Sequence, residues 1–324
     1  MKSHHMGKLA FLFPGQASQY PGMGRDLAEH LPAARSVFEE ADRALDFKIS
    51  ELCFEGSEEA LKQTENTQPA ILTVCVAAYR ALEESGITPD YVAGHSLGEY
   101  AALVAAGGLD FPAAVKIVRQ RGRYMQEAVP PGVGAMAAIL GLAPTVVAEI
   151  CRKAAEGEIV SPANLNSPEQ TVISGHAAAV KRAVEIASQN GAKRAVILPV
   201  SAPFHCELMM PAQLRLERDL SAAAFHDLRF ALVTNVDAET IEKGPEARDA
   251  LVRQVCLPVR WEESMREMIE LGASMFVEVG PGRVLSGLLR QMDRSVRSFN
   301  VEDAASLHST LEKIAQVRAE SAEG

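Results

Sequence analysis

The chain has 324 residues, 48% of them hydrophobic, enough to bury a large core as one big domain or as two. Its formal net charge of −10 excludes a general nucleic-acid binder, which needs a basic face to replace counterions. No apolar run approaches the roughly 20 residues of a membrane span, and the polar stretch Met1 to Lys8 makes a poor secretion signal.

Leu9–Phe13 is a continuous apolar run, the pattern of a strand buried on both faces, and it ends at the turn Pro14-Gly15-Gln16. Residues 24–44 and 68–85 read as helices, the second with Ile71, Val74, Cys75 and Ala78 on one stripe and a stop at Gly86. Tyr91-Val92-Ala93 is a strand end. Leu97 to Ala106 follows as a helix stopped by Gly107-Gly108. Asp110 then reads as an N-cap with Pro112 just inside the next helix, which carries Arg119, Arg121 and Arg123 until Pro130-Pro131-Gly132 breaks it.

Residues 134 to 200 have their own pattern. Apolar Ala135–Leu140 precedes a helix over Pro144–Ala155. Two strand-like runs follow, Ile159 to Ala163 and Thr171–Ser174, on either side of a turn-rich 164–168. A helix over Ala177–Gln189 and a strand over Arg194–Val200 complete the order βαββαβ, that of a ferredoxin-like unit. This predicts an inserted subdomain over 133–201. Afterwards the α/β pattern resumes, with strands at Phe230–Thr234, Met275–Val279 and Arg297–Val301. Helices are expected over Trp261–Leu271 and after Gly280-Pro281-Gly282. Leu307, Leu311, Ile314 and Val317 form a packing stripe in the tail, 305–324. The expected fold is therefore α/β, a parallel-sheet catalytic unit of residues 8–132 and 202–304 interrupted by the insert.

Gly94-His95-Ser96-Leu97-Gly98 carries the chemistry. A serine on a tight strand-to-helix turn needs glycine two residues either side, so that strand and helix can close around it. The turn pushes Oγ out of the sheet and aims the first helical N–H groups at whatever the serine attacks. A hydroxyl also needs a base within reach. His95 is adjacent but should point away across the turn. His205 follows the last strand of the insert at a domain crossover, where its position fits a base and an ordinary loop histidine equally well. No acidic residue occupies an obvious third position, since Asp110 reads as a cap and Glu127 as part of a solvated face. The N–H of Leu97 would be one oxyanion donor, and the Pro14-Gly15-Gln16 turn is the natural source of a second, although an ordinary turn fits those residues as well. Alternating arginines are usually a solvated face. Arg121, however, lies with Val118 and Met125 near the apolar stripe, where a charge must find a partner or ligand. Five scattered cysteines read as reduced thiols in a cytoplasmic setting. His4-His5 reads as a tag remnant or as residues upstream of a natural start at Met6. No metal site is expected.

Together these stretches resemble the malonyl-CoA:acyl carrier protein transacylases and the acyltransferase domains of polyketide and fatty acid synthases. The matching motifs, in order, are Phe13-Pro14-Gly15-Gln16-Ala17-Ser18-Gln19, Gly94-His95-Ser96-Leu97-Gly98-Glu99, Arg121-Gly122-Arg123-Tyr124-Met125-Gln126 and Ala163-Asn164-Leu165-Asn166-Ser167-Pro168. Phe204-His205-Cys206, Gln254 ahead of Pro258-Val259-Arg260-Trp261, and Phe276-Val277-Glu278-Val279-Gly280-Pro281-Gly282 complete the set. The resemblance implies an α/β-hydrolase-like large subdomain with a ferredoxin-like insert. It implies Ser96 as nucleophile and His205 as base, oriented by a main-chain carbonyl near Gln254. Gln16 and Leu97 amides would form the oxyanion hole. Arg121 would hold a malonyl carboxylate, with Asn166, Phe204 and Gln254 beside the substrate. Phe204 stands where many stand-alone members carry a small residue and would favour the unbranched acyl group, while Ala17, replacing a commoner glycine, reads as a mild change in a turn.

The implied activity is ping-pong transfer of malonyl from malonyl-CoA to the phosphopantetheine thiol of an acyl carrier protein, supplying fatty acid synthesis, with no permanently bound cofactor. A polyketide-pathway acyltransferase, a serine hydrolase and a non-catalytic docking scaffold are the rival readings. Acyl carrier proteins are acidic, so an acidic chain needs a local basic patch to meet one, and Lys181-Arg182 and Lys193-Arg194 are candidates. A cytoplasmic monomer is expected.

Overall fold

An uninterrupted apolar run has no polar side to offer solvent, and strand β1 (Lys8–Phe13) accordingly lies inside the larger of two sheets, with Leu9 to Phe13 buried. The computed structural model describes residues 7–200 and 202–323, so His4 and His5 lie outside the described residues. The strands that follow are β2 (Tyr91–Gly94), β3 (Gly134–Leu140), β4 (Val160–Ser167), β5 (Gln170–His176) and β6 (Arg194–Ile197). After the insert come β7 (Ala231–Val233), β8 (Thr240–Ile241), β9 (Ala273–Val279) and β10 (Arg297–Val301).

The larger sheet runs β10-β9-β1-β2-β7-β8, parallel throughout except for β8 at its edge. The smaller, β4-β5-β3-β6, is wholly antiparallel and has the strand order of a ferredoxin-like unit. The α/β expectation with an antiparallel insert therefore holds. Phe13 is in register with Gly94, so β1 and β2 end level and their following loops emerge side by side. In open parallel sheets this carboxyl edge is where ligand sites form. The insert is fastened over that edge. Leu165 donates to the Val259 carbonyl at 2.8 Å, and Val259 donates back to Ala163 at 2.9 Å.

Local departures from the sequence reading have identifiable causes. The expected helix 24–44 is two helices, Arg25–His30 and Pro32–Leu45, because Leu31 precedes a proline and is extended, at φ −122° and ψ 112°. Residues 164–167 are not a turn. They continue β4 as a bulged strand paired on β5, and only Pro168-Glu169 turn. Asp110 occupies the N-cap position without making a side-chain cap bond. The second helix begins earlier, at Thr64, with Pro69 inside it. Helices at Ile49–Glu55, Glu58–Lys62, Met210–Ala222 and Gly244–Gln254 lie where the sequence reading placed no element, although Ser57 caps the second and a proline opens each of the last two. The tail is helical over Ala304–Glu323, and Leu307 and Ile314 are buried on the core.

Candidate active site

Ser96 sits in the short link between β2 and the Gly98–Ala105 helix at φ 52°, a left-handed conformation strained for a side-chain-bearing residue. The flanking glycines are there for space. A Cβ on Gly94 would lie 1.9 Å from the carbonyl carbon of Gly98, and one on Gly98 would lie 2.0 Å from the oxygen of Phe13. Asn235, just after β7, holds the turn. Its Oδ1 accepts the Ser96 amide at 2.7 Å, and its Nδ2 donates to the Gly94 carbonyl at 2.7 Å.

The His205 ring lies with Nε2 2.8 Å from Ser96 Oγ and Nδ1 2.8 Å from the main-chain oxygen of Gln254. A carbonyl can only accept, so Nδ1 carries the proton and Nε2 presents its lone pair to the hydroxyl. Burial, followed by the nearby positive charge of Arg121, pushes the imidazole down to about 3. The ring is thus neutral at ordinary pH. His95 turns the other way, its Nε2 2.8 Å from Asn166 Oδ1 and its ring against Trp261.

Arg121 comes from the Phe111–Glu127 helix and is 1% exposed. Nη1 donates to Gln68 Oε1 at 2.9 Å, while Nη2 donates to Gln254 Oε1 at 2.9 Å and to Ser96 Oγ at 3.0 Å. The Tyr100 ring lies beneath it, 5.6 Å from ring centre to guanidinium carbon. Its neighbours separate as the pattern suggests. Arg123 pairs with Glu127 on the surface, and Arg119 covers the ring of Phe47.

The Pro14-Gly15-Gln16 turn packs directly on the elbow, where a Cβ on Gly15 would lie 2.4 Å from the His95 oxygen. The amides of Gln16 and Leu97 donate to no protein acceptor among the described residues. Ala17 is less innocuous than the sequence reading held, because it sits at φ 84°, a conformation glycine adopts freely and alanine does not. Phe204 and Asn166 join Gln16, Ser96, Leu97, Arg121 and His205 in lining one cavity of about 260 Å³ between the sheet edge and the insert. Gln254 lies behind this wall, fully buried.

Three residues that sequence reasoning assigned no role complete the site. Gln68 and Asn235 hold Arg121 and the Ser96 turn. Glu99, fully buried, accepts from the Asn235 amide at 3.0 Å and from Gln254 Nε2 at 2.9 Å. Glu99 alone carried a readable signal, a carboxyl in an otherwise apolar helix. The basic pairs of the insert fare unevenly. Arg182 is consumed by Glu156, Glu158 and two carbonyls, and Lys193 pairs with Glu169.

A family model of the acyl transferase domain matches residues 10–317. The chain belongs to the acyl transferase family. The malonyl CoA-acyl carrier protein transacylase of Bacillus subtilis is 48% identical over 310 residues, 95% of this chain and 98% of the relative. Among solved structures, the transacylase from Coxiella burnetii superposes with a TM-score of 0.93 at 44% identity, covering 95% of this chain and 98% of that one. A malonyl-transacylase solved in complex with a type II polyketide acyl-carrier protein gives 0.92 at 45% identity, covering 94% and 99%. An acyl transferase must hold an activated acyl group, release one thiol and admit another. A cavity lined by the Ser96 hydroxyl, with the His205 imidazole against it, suits that task.

Proposed function

We propose that this acyl transferase moves malonyl from malonyl-CoA to the phosphopantetheine thiol of an acyl carrier protein in fatty acid synthesis. The observation that carries the reading is the buried guanidinium of Arg121, 3.0 Å from the Ser96 hydroxyl and provided only with neutral acceptors. A cation so placed calls for a carboxylate on the acyl group rather than a plain acetyl.

Ser96 Oγ–H gives its proton to His205 Nε2 as Oγ attacks the thioester carbon. The oxyanion is received by the Gln16 and Leu97 amides, each such donor being worth roughly 3 kcal/mol. The C–S bond then breaks, and the departing sulfur takes the proton from Nε2, leaving malonyl-serine. A carrier thiol enters by the same mouth, gives its proton to His205 and reverses the sequence. The Gln254 carbonyl keeps Nδ1–H fixed throughout, the part an aspartate plays elsewhere. Because the Arg121 charge depresses His205, a bound malonyl carboxylate raises the basicity of the imidazole when a base is needed. Phe204 at the cavity wall disfavours an α-methyl branch.

Docking of an acidic carrier falls to Arg194 rather than to the whole set of basic pairs. Arg194 and the pocket residue Gln170 both pair with Leu140, on opposite sides of β3, so the arginine stands on the cleft face of the insert. It forms no ion pair among the described residues. Arg290 is likewise exposed and unpaired, on the helix whose Val284 and Leu288 line the opposite wall. No helix among the described residues is long and apolar enough to cross a membrane. Intact-mass analysis after mixing with malonyl-, methylmalonyl- and acetyl-CoA tests the reading. A malonyl adduct on Ser96 that passes to carrier protein is expected, whereas release of free malonate without transfer means a hydrolase. Fatty acid and polyketide carriers offered in parallel identify the pathway.

A further inference from the structure

The charge balance behind Arg121 is incomplete in one respect. Its hydrogen-bond acceptors, Gln68 Oε1, Gln254 Oε1 and Ser96 Oγ, are all neutral. The nearest anion is the carboxyl of Glu99, one residue away through Gln254, whose amide accepts from Arg121 and donates to Glu99 Oε2 at 2.9 Å. Glu99 Oε1 is buried and has no partner among the described residues. A fully buried carboxyl with one oxygen bonded twice and the other left bare is equipped both to ionise and to take a proton.

Resting on the transacylase reading, we propose that Glu99 is the counter-charge of Arg121 in the empty site and becomes protonated when the malonyl carboxylate docks, so that malonyl binding takes up a proton. Two carboxylates sharing one guanidinium in a dry cavity cannot both stay ionised without cost, and the substrate's direct contact with the guanidinium leaves Glu99 to yield. Burial, acting against the hydrogen bonds from Gln254 and Asn235 and the charge of Arg121, raises Glu99 to about 7, so the proton lies within easy reach. The groups facing Glu99 are Arg121, which favours its charge, and Asp237, which opposes it but is itself paired with Arg253. Tyr100, beside it on the same helix, is raised by burial and stays neutral, as does His205. Glu99 acts through Gln254 and Arg121 and is a positioning residue.

The test is calorimetric titration of Ser96→Ala protein at pH 7 with malonyl-CoA and with CoA, in buffers of differing ionisation enthalpy. About half a proton should be taken up per site with malonyl-CoA beyond the CoA baseline, as expected for a carboxyl half-ionised before binding. The excess should vanish in Ser96→Ala/Glu99→Gln, whose neutral amide still accepts from Gln254. Binding of malonyl-CoA with no excess uptake overturns the proposal, even if the double variant does not fold. Uptake that persists with Glu99→Gln also overturns it and moves the proton to another group, His205 first. Failure of wild-type protein to form a malonyl adduct defeats the transacylase reading itself, and this one with it. Infrared difference spectra provide an independent check, since loading should bring up the carbonyl band of a protonated carboxyl, shifted by isotopic labelling of glutamate.

Discussion

At the scale of single residues, the site is a set of pairs whose members constrain each other. On the proposed reading, Arg121→Ala would remove a charge-assisted contact to the acyl carboxylate and leave room for smaller groups. The malonyl-over-acetyl ratio of kcat/KM should fall by about a hundredfold, in line with a charged hydrogen bond worth roughly 2–3 kcal/mol. An unchanged ratio would remove Arg121 from the recognition of malonyl. The depressed His205 sets a pH signature. A histidine held below its ordinary value stays neutral as pH falls through 6.5, so the free enzyme keeps its base and loses activity only in distinctly acid solution. The acid limb of kcat/KM for malonyl loading should therefore lie well below the usual histidine range. With Arg121→Gln, which takes away the second cause of the depression, that limb should move upward.

At the scale of elements, the elbow and its neighbouring turn show how much a short pattern conveys. Gly94 and Gly98 were legible because a nucleophile turn excludes Cβ atoms there, and the structure gives the exclusion a place, the backbone of Phe13 and of Gly98 itself. The Ala17 position was not legible, since φ belongs to the turn as folded around the elbow. Ala17→Gly should stabilise the protein by about 1 kcal/mol by relieving the left-handed alanine, raising Tm by about 2 °C in a thermal melt. A fall in Tm would mean that the loss of unfolded-state restriction outweighs the relief. The 164–168 segment was misread for a related reason. Asparagine, serine and proline signal a turn locally, yet pairing with β5 and with Val259 makes strand of all but the last.

At the scale of the whole molecule, a net charge of −10 would set an acidic body against the acidic carrier of the proposed function, and local cations would have to guide the encounter. Arg194→Glu should raise the KM for carrier protein about tenfold and weaken its salt dependence, while transfer to free pantetheine changes little. Equal loss with both acceptors would place Arg194 in the acyl chemistry instead. The same scale separates what could be read early from what could not. Apolar periodicity and glycine spacing sufficed for the two-sheet α/β plan and the serine elbow, and they set Arg121 beside the apolar stripe, because these depend on residues close together in the chain. That Arg121 is buried came from the structure. Resemblance to a family supplied the histidine and its carbonyl partner. What only the tertiary structure decided is how groups from distant segments meet: the 2.8 Å contact of His205 with Ser96, the anchoring of Arg121 by Gln68 and Gln254, and the unshared oxygen of Glu99 behind them. Hydrogen bonds and buried charges depend on angstrom-scale distance and on the exclusion of water. Neither quantity is local to the chain, and both are set only when distant segments pack against one another.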